Sequence, residues 1–83
     1  MIDKWYAIEA TVDPSAVEAI EDLFNGLDAL GTEVQQFYKK ENEPLTVIGY
    51  FDVLPDGDLF DERLSGTLRI YDLDRDSIRS LER

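Results

Sequence analysis

Carboxylates are the side chains with which this chain could do chemistry, because the sequence contains no His and no Cys. Asp72, Asp74 and Asp76 have the alternate spacing of the first ligands in a calcium-binding loop. The pattern then fails, since Ser77 stands where the loop requires Gly and Arg83 stands where a bidentate Glu should close it. We therefore interpret this segment as a solvated loop or helix cap.

A second group of carboxylates surrounds a turn signal, Pro55-Asp56-Gly57. It consists of Asp52, Asp56, Asp58 and Asp61, which have no fixed ligand spacing. Without His or Cys, a general base would have to be Asp, Glu, Lys or Tyr, in a pocket that so small a domain can hardly enclose. We expect no metal, no cofactor and no catalytic residue in this chain.

The aromatic run Ile48-Gly49-Tyr50-Phe51 is similar to the base-stacking signature of RNA-recognition modules. The basic residue before Gly and the later aromatic residue are absent, so core packing is the preferred interpretation. The net charge of -11, from 19 acidic and 8 basic residues, also disfavours nucleic acid and anionic membranes as partners. It favours a basic protein partner, although acidity for solubility alone is the simpler explanation.

Periodicity indicates the elements that would position these side chains. Residues Trp5 to Val12 alternate as a strand, and Asp13-Pro14 predicts a capped helix start. The helix that follows presents apolar residues at intervals of three and four, ending near Gly31. These apolar residues are Val17, Ile20, Leu23, Phe24 and Leu27.

The second half of the chain predicts strands at Thr32 to Tyr38 and Leu45 to Val53, joined by a turn at Lys39 to Pro44. We expect the second of these strands to be central and covered on both faces, with Gly49 marking a bulge or a close backbone approach.

Phe60, Leu64, Leu68 and Tyr71 fit a helical face, whereas residues 67–71 alone could alternate as a strand. We choose the helix, followed by a polar break and a last strand at Ser77 to Arg83. The order β-α-β-β-α-β predicts one α+β domain over residues 1–83, a ferredoxin-like antiparallel four-stranded sheet with two helices on one face.

Trp5 lies on the face of the first strand opposite Ile8, so it either covers the sheet or contacts something outside the chain. Strand alternation places Glu9 on the same outer face, and Glu33 and Gln35 on the outer face of the second strand. We predict these four residues as partner-binding residues.

Short structural motifs resemble one family. They are Trp5 opening the first strand, Ala16-Val17-Glu18-Ala19 leading the helix, Ala29-Leu30-Gly31 closing it and Val47-Ile48-Gly49-Tyr50-Phe51 in the third strand. The chain resembles the N-terminal domain of the bacterial methyltransferases that modify large-subunit ribosomal protein L-eleven. The resemblance covers essentially the whole chain, with Asp28 standing where the family often has a second Gly.

The resemblance implies a substrate-recognition domain that binds the basic ribosomal protein. In that family a separate Rossmann-like domain binds S-adenosylmethionine and methylates lysine side chains and the terminal amine. This chain has no glycine-rich cofactor loop, so it looks like an excised domain that binds and does not methylate. We expect a cytoplasmic location, since no apolar run approaches the length of a membrane span. We also expect a monomer.

Two other functions fit the same sequence. The first is a free-standing ferredoxin-like domain that senses a small ligand or self-associates through its sheet. The second is an acidic mimic of nucleic acid, which would bind many basic proteins without preference.

Overall fold

A computed structural model describes residues 5–35 and 43–82 of the chain. Within these two ranges the order of strands and α-helices is β-α-β-β-α-β, as predicted. The elements are β1 (Tyr6–Val12), α1 (Val17–Gly26), β2 (Gly31–Gln35), β3 (Leu45–Phe51), α2 (Gly57–Ile70) and β4 (Ile78–Glu82), with 3-10 turns at Pro14–Ala16 and Arg75–Ser77.

The strands of the described residues form one four-stranded sheet in the order β2-β3-β1-β4. Each neighbouring pair is antiparallel, and β1 and β3 occupy the centre. The register shifts between Thr11 and Val12 where β1 pairs with β4. This arrangement confirms the predicted α+β ferredoxin-like fold.

The core lies between one face of this sheet and the two helices. Alternate residues of β1, namely Ile8, Ala10 and Val12, are fully buried, as period-two alternation predicts. They meet apolar residues from β3 and from both helices in one cluster. The helix residues of this cluster include Ile20, Leu23, Phe24, Phe60, Leu64 and Leu68. Both helices therefore cover the same face, and neither α1 nor α2 covers the opposite face of the sheet.

Gly49 allows α1 to approach β3 closely. A Cβ atom at this position would lie 2.7 Å from the Cγ and Cδ2 atoms of Phe24 and 3.0 Å from Cε1 of Phe51. The Phe24 and Phe51 rings meet edge to face, with centroids 5.9 Å apart. Of the two alternatives predicted for Gly49, close approach is therefore the correct one.

The predicted cap of the first helix is wrong. Asp13 makes no side-chain capping hydrogen bond within the described residues, and Pro14–Ala16 forms a 3-10 turn before α1 begins at Val17. The Oδ1 atom of Asp13 accepts a hydrogen bond from Nε of Arg79 at 2.9 Å instead. The Asp13 carboxylate thus binds Arg79 of β4 instead of the helix terminus.

The second helix begins at Gly57. The Pro55-Asp56-Gly57 segment, predicted as the turn after the third strand, thus leads directly into this helix. Asp56 is its N-cap, and its side chain accepts from the backbone N–H groups of Asp58 and Leu59. The helix continues to Ile70, so the helical interpretation of residues 67–70 is correct, and Tyr71 is the C-cap.

Strand lengths differ from prediction mainly at the ends. The first strand begins at Tyr6 rather than Trp5. The third strand ends at Phe51 rather than Val53, and the last strand covers Ile78–Glu82 rather than Ser77 to Arg83. The second strand begins at Gly31 and is described to Gln35; residues 36–38 of that prediction, residues 39–42 of the predicted turn and residue 83 lie outside the described residues.

Neither α1 nor α2 is long and apolar enough to cross a membrane, and the rest of the described chain contains no such helix.

Candidate functional site

The face of the sheet that carries no helix layer, called the open face here, is the candidate site. Its residues alternate along β1, β2 and β3 with those that face the helices, and pairing across the strands arranges them in rows. Along the strands, neighbouring rows lie roughly 7 Å apart, the rise of two residues.

The middle row carries three carboxylates. Strand pairing sets Glu33 opposite Ile48, Ile48 opposite Glu9, and Glu9 opposite Glu82. We call Glu33, Glu9 and Glu82 the acidic row. All three are exposed, so the row presents negative charge to solvent across the width of the sheet.

Ile48 sits inside this row as an apolar residue between two acids. It is only 5% exposed, yet it does not belong to the cluster that packs under the helices. The side chain is therefore covered from the open face. This burial explains why the sequence of β3 is apolar almost throughout even though the helices cover one of its faces: Ile48 and Tyr50 belong to the opposite face.

The row on one side of the acidic row is uncharged and polar. Gln35 pairs with Thr46, which pairs with Thr11, and Thr11 pairs with Ser80. The hydroxyl oxygens of Thr11 and Thr46 lie 3.2 Å apart and share a hydrogen bond.

The row on the other side is apolar and contains a groove of about 330 Å³, lined by Trp5, Leu30, Gly31 and Tyr50. We call it the corner groove. Tyr50 pairs with Gly31 on one side and with Ala7 on the other. Neither neighbour has a large side chain, and the partly buried Tyr50 forms one wall of the groove. The backbone N–H of Leu30 donates to the carbonyl of Tyr50 at 2.6 Å, which fixes Leu30 at the rim.

Two large apolar side chains of the corner groove face solvent. Trp5 is 69% exposed and Leu30 is 59% exposed. Apolar surface that is concentrated at one place in this way is typical of a binding site, whereas single exposed apolar residues are ordinary. Trp5 lies beside Gly31 and Tyr50 of the sheet, and most of its side chain is accessible to a partner.

One hydrogen bond joins the corner groove to the acidic row. The Tyr50 hydroxyl donates to Oε1 of Glu33 at 2.8 Å, crossing diagonally from one row to the next. This hydrogen bond raises the pKa of Tyr50, and loss of water and the negative charges of Glu33 and Glu9 raise it further. The apolar wall of the groove therefore ends at a carboxylate.

The structure places all four predicted site residues on the open face, but in different rows. Glu9 and Glu33 share the acidic row, Gln35 belongs to the polar row, and Trp5 lies at the corner groove. Sequence reasoning missed Leu30, Ile48, Tyr50 and Glu82. The signal that could have found Ile48 and Tyr50 is their phase: both are apolar at outward positions of a strand whose inward positions are already apolar.

No group of three or more His, Cys, Asp or Glu residues in the described part of the chain is arranged to hold a metal ion. The calcium-like Asp72 to Asp76 segment forms the end of a turn and the 3-10 turn before β4. The open face can thus offer carboxylates, one indole, one phenol and apolar side chains, which are groups suited to binding a cationic or amphipathic surface.

Comparisons with known protein families, with curated proteins and with solved structures found no match for this chain.

Proposed function

We propose that this chain is a non-catalytic recognition domain that binds a basic protein on the open face of its sheet. The arrangement that carries the proposal is the acidic row beside the corner groove: three exposed carboxylates cross the sheet next to exposed apolar surface. Interfaces between proteins combine such an apolar anchor with a polar, charged surround.

Charge supports the choice of partner. The chain carries a net charge of -11, and no Lys or Arg occurs at the described, paired positions of the open face. A negative surface of this kind accelerates encounter with a positive partner and repels phosphate groups. A basic protein is thus favoured over nucleic acid or an anionic membrane.

The sequence resemblance makes ribosomal protein L-eleven the partner to test first. On this proposal the domain holds the ribosomal protein while a separate S-adenosylmethionine-dependent domain methylates it in the cytoplasm. Tethering raises the effective concentration of the target amines near the catalytic domain, so the recognition domain needs no chemistry of its own.

The test is a titration of the domain with purified ribosomal protein L-eleven at low and at physiological salt, followed by calorimetry and amide chemical shifts. We expect saturable one-to-one binding that persists at physiological salt, with the largest shifts on the open face. Failure to bind, or equal binding of an unrelated basic protein, would contradict the proposed partner.

Charge-reversed variants locate the surface. Glu9→Lys with Glu33→Lys should weaken binding by an order of magnitude or more, because attraction in the acidic row becomes repulsion. The matched control is Glu18→Lys with Glu62→Lys, which changes the net charge equally on the two helices. Equal loss in both double variants would indicate binding through overall charge, as the nucleic-acid mimic predicts.

The corner groove favours a second candidate function, a ligand-sensing domain. Its volume of about 330 Å³ falls at the lower end of small-molecule sites. Self-association through the open face is less favoured, since a second copy would bring its own acidic row against the first. Sedimentation and a thermal-shift screen of small apolar ligands test this candidate.

A further inference from the structure

We propose that the corner groove binds one Lys or Arg side chain of the partner, an inference that rests on the basic-protein partner proposed above. The methylene stem would lie against Trp5 and Leu30, and the charged head would reach the Glu33 carboxylate.

The walls of the groove suit such a stem. Its described lining is Trp5, Leu30, Gly31 and Tyr50, in which the polar side-chain groups are the Tyr50 hydroxyl and the Trp5 indole N–H. Lys and Arg side chains bury their methylene groups on apolar surface while the charged end stays near polar groups. A cation beside an indole or phenol face gains further attraction from the ring, most strongly from Trp.

Glu33 supplies the charge at the end of the groove. The Tyr50 hydroxyl uses one acceptor position on Oε1, and an ionised carboxylate offers about four such positions. The same hydrogen bond holds the carboxylate beside the ring, so less side-chain freedom is lost when a cation binds. Glu9, two strands away across the sheet beyond Ile48, adds negative potential.

The combination of groove and carboxylate selects the occupant by charge complementarity. A purely apolar side chain would fill the groove but gain nothing from Glu33, and a phosphate would be repelled by the acidic row. We expect Arg to bind more tightly than Lys, because its planar guanidinium group can stack on an aromatic ring and donate two hydrogen bonds to one carboxylate.

Trp5 is the single Trp of the chain and therefore a built-in fluorescent reporter of the groove. The probes are short glycine peptides with Arg, Lys, citrulline or norleucine at the central position. Citrulline keeps the shape of Arg without its charge, and norleucine keeps the stem alone. We expect the Arg peptide to shift Trp5 emission and the amides of Leu30 and Tyr50, with the citrulline peptide binding about fivefold more weakly.

Two variants test the roles of the charge and of the ring. Glu33→Gln should weaken binding of the Arg peptide about fivefold and leave binding of the norleucine peptide unchanged. Trp5→Ala should weaken binding of the Arg and Lys peptides about tenfold. Amide shifts measure this variant, because it lacks the fluorescent Trp. Glu62→Gln on α2 removes the same charge away from the open face and should change nothing.

Three results would overturn the inference: equal binding of the Arg and citrulline peptides, no effect of Glu33→Gln, or amide shifts away from the groove.

Failure of the groove assignment can be distinguished from failure of the proposed function. If Glu9→Lys with Glu33→Lys abolishes binding of the basic protein while Trp5→Ala does not, the acidic face is right and the groove assignment is wrong. If the Arg peptide binds as expected but ribosomal protein L-eleven does not, the groove assignment stands and the partner is wrong.

Discussion

The Tyr71 hydroxyl donates a hydrogen bond to Oδ2 of Asp22, which joins the C-terminal end of α2 to α1. This hydrogen bond, with loss of water and the negative charges of Asp22 and Glu18, raises the pKa of Tyr71 from 10.0 to about 12. It links two residues 49 positions apart in the chain.

Stability should therefore fall at high pH because of Tyr71. Above about pH 10 the unfolded chain releases the phenolic proton, while the native protein keeps it until about pH 12. The stabilisation is complete below the unfolded pKa and disappears as the pH rises through the folded one. Urea unfolding across this range should show a decline that is smaller in Tyr71→Phe. Equal declines in both proteins would show that Tyr71 does not hold its proton in the folded state.

Gly49→Ala should destabilise the domain by about 1–3 kcal/mol, because the added Cβ would lie 2.7 Å from the Phe24 ring. Gly66→Ala is the control. A Cβ there meets no described atom within 4 Å, and Gly66 lies inside α2, so this change should stabilise by about 0.5–1 kcal/mol. Urea unfolding measures both. If adding Phe24→Leu to the Gly49→Ala protein does not restore part of the lost stability, steric overlap is not the cause.

Asp56→Ala should lower stability by about 1 kcal/mol, because it removes the side-chain cap of α2. Asp13→Ala should have a smaller effect, since Asp13 forms an exposed ion pair with Arg79 instead of a cap. Thermal unfolding of the two variants under identical conditions compares these roles. A larger loss for Asp13→Ala would reverse the assignment of the two aspartates.

Glu82→Lys should stabilise the isolated domain by about 0.5 kcal/mol, because like charges face each other where Glu82 pairs with Glu9. The gain should shrink as salt screens both charges. The same variant should bind a basic protein more weakly, which would place Glu82 in the binding surface. Glu62→Lys provides the control, since it makes the same charge change on α2. An equal gain from both variants would mean that relief of overall charge, not of this pair, is responsible.

The sequence predicted which face of the sheet a residue occupies better than it predicted which residues lie side by side on that face. Alternation predicts Trp5 and Glu9 on the face opposite Ile8; the structure agrees for Glu9 and places Trp5, just before β1, in the groove beside Tyr50. It cannot say that Glu9 and Glu33 flank Ile48, because that depends on the register between strands distant in sequence. The acidic row exists only once the sheet has formed.

Local signals also failed where a distant residue competed for a side chain. Asp13 before Pro14 has the sequence of a helix cap, yet Arg79 binds its carboxylate. Asp56, which was predicted only as part of a turn between Pro55 and Gly57, does cap its helix. The difference lies in a contact across 66 positions, which no short window of sequence contains.

Gly49 and Phe24 fill one volume between them, since the ring occupies the space that a side chain on β3 would need. Relatives of this domain should therefore show covariation at the two positions: a larger residue at position 49 requires a smaller one at position 24. A pattern of glycine in the third strand with an aromatic residue in the first helix would then be a useful probe for remote homologues, one that depends on steric fit rather than on overall identity.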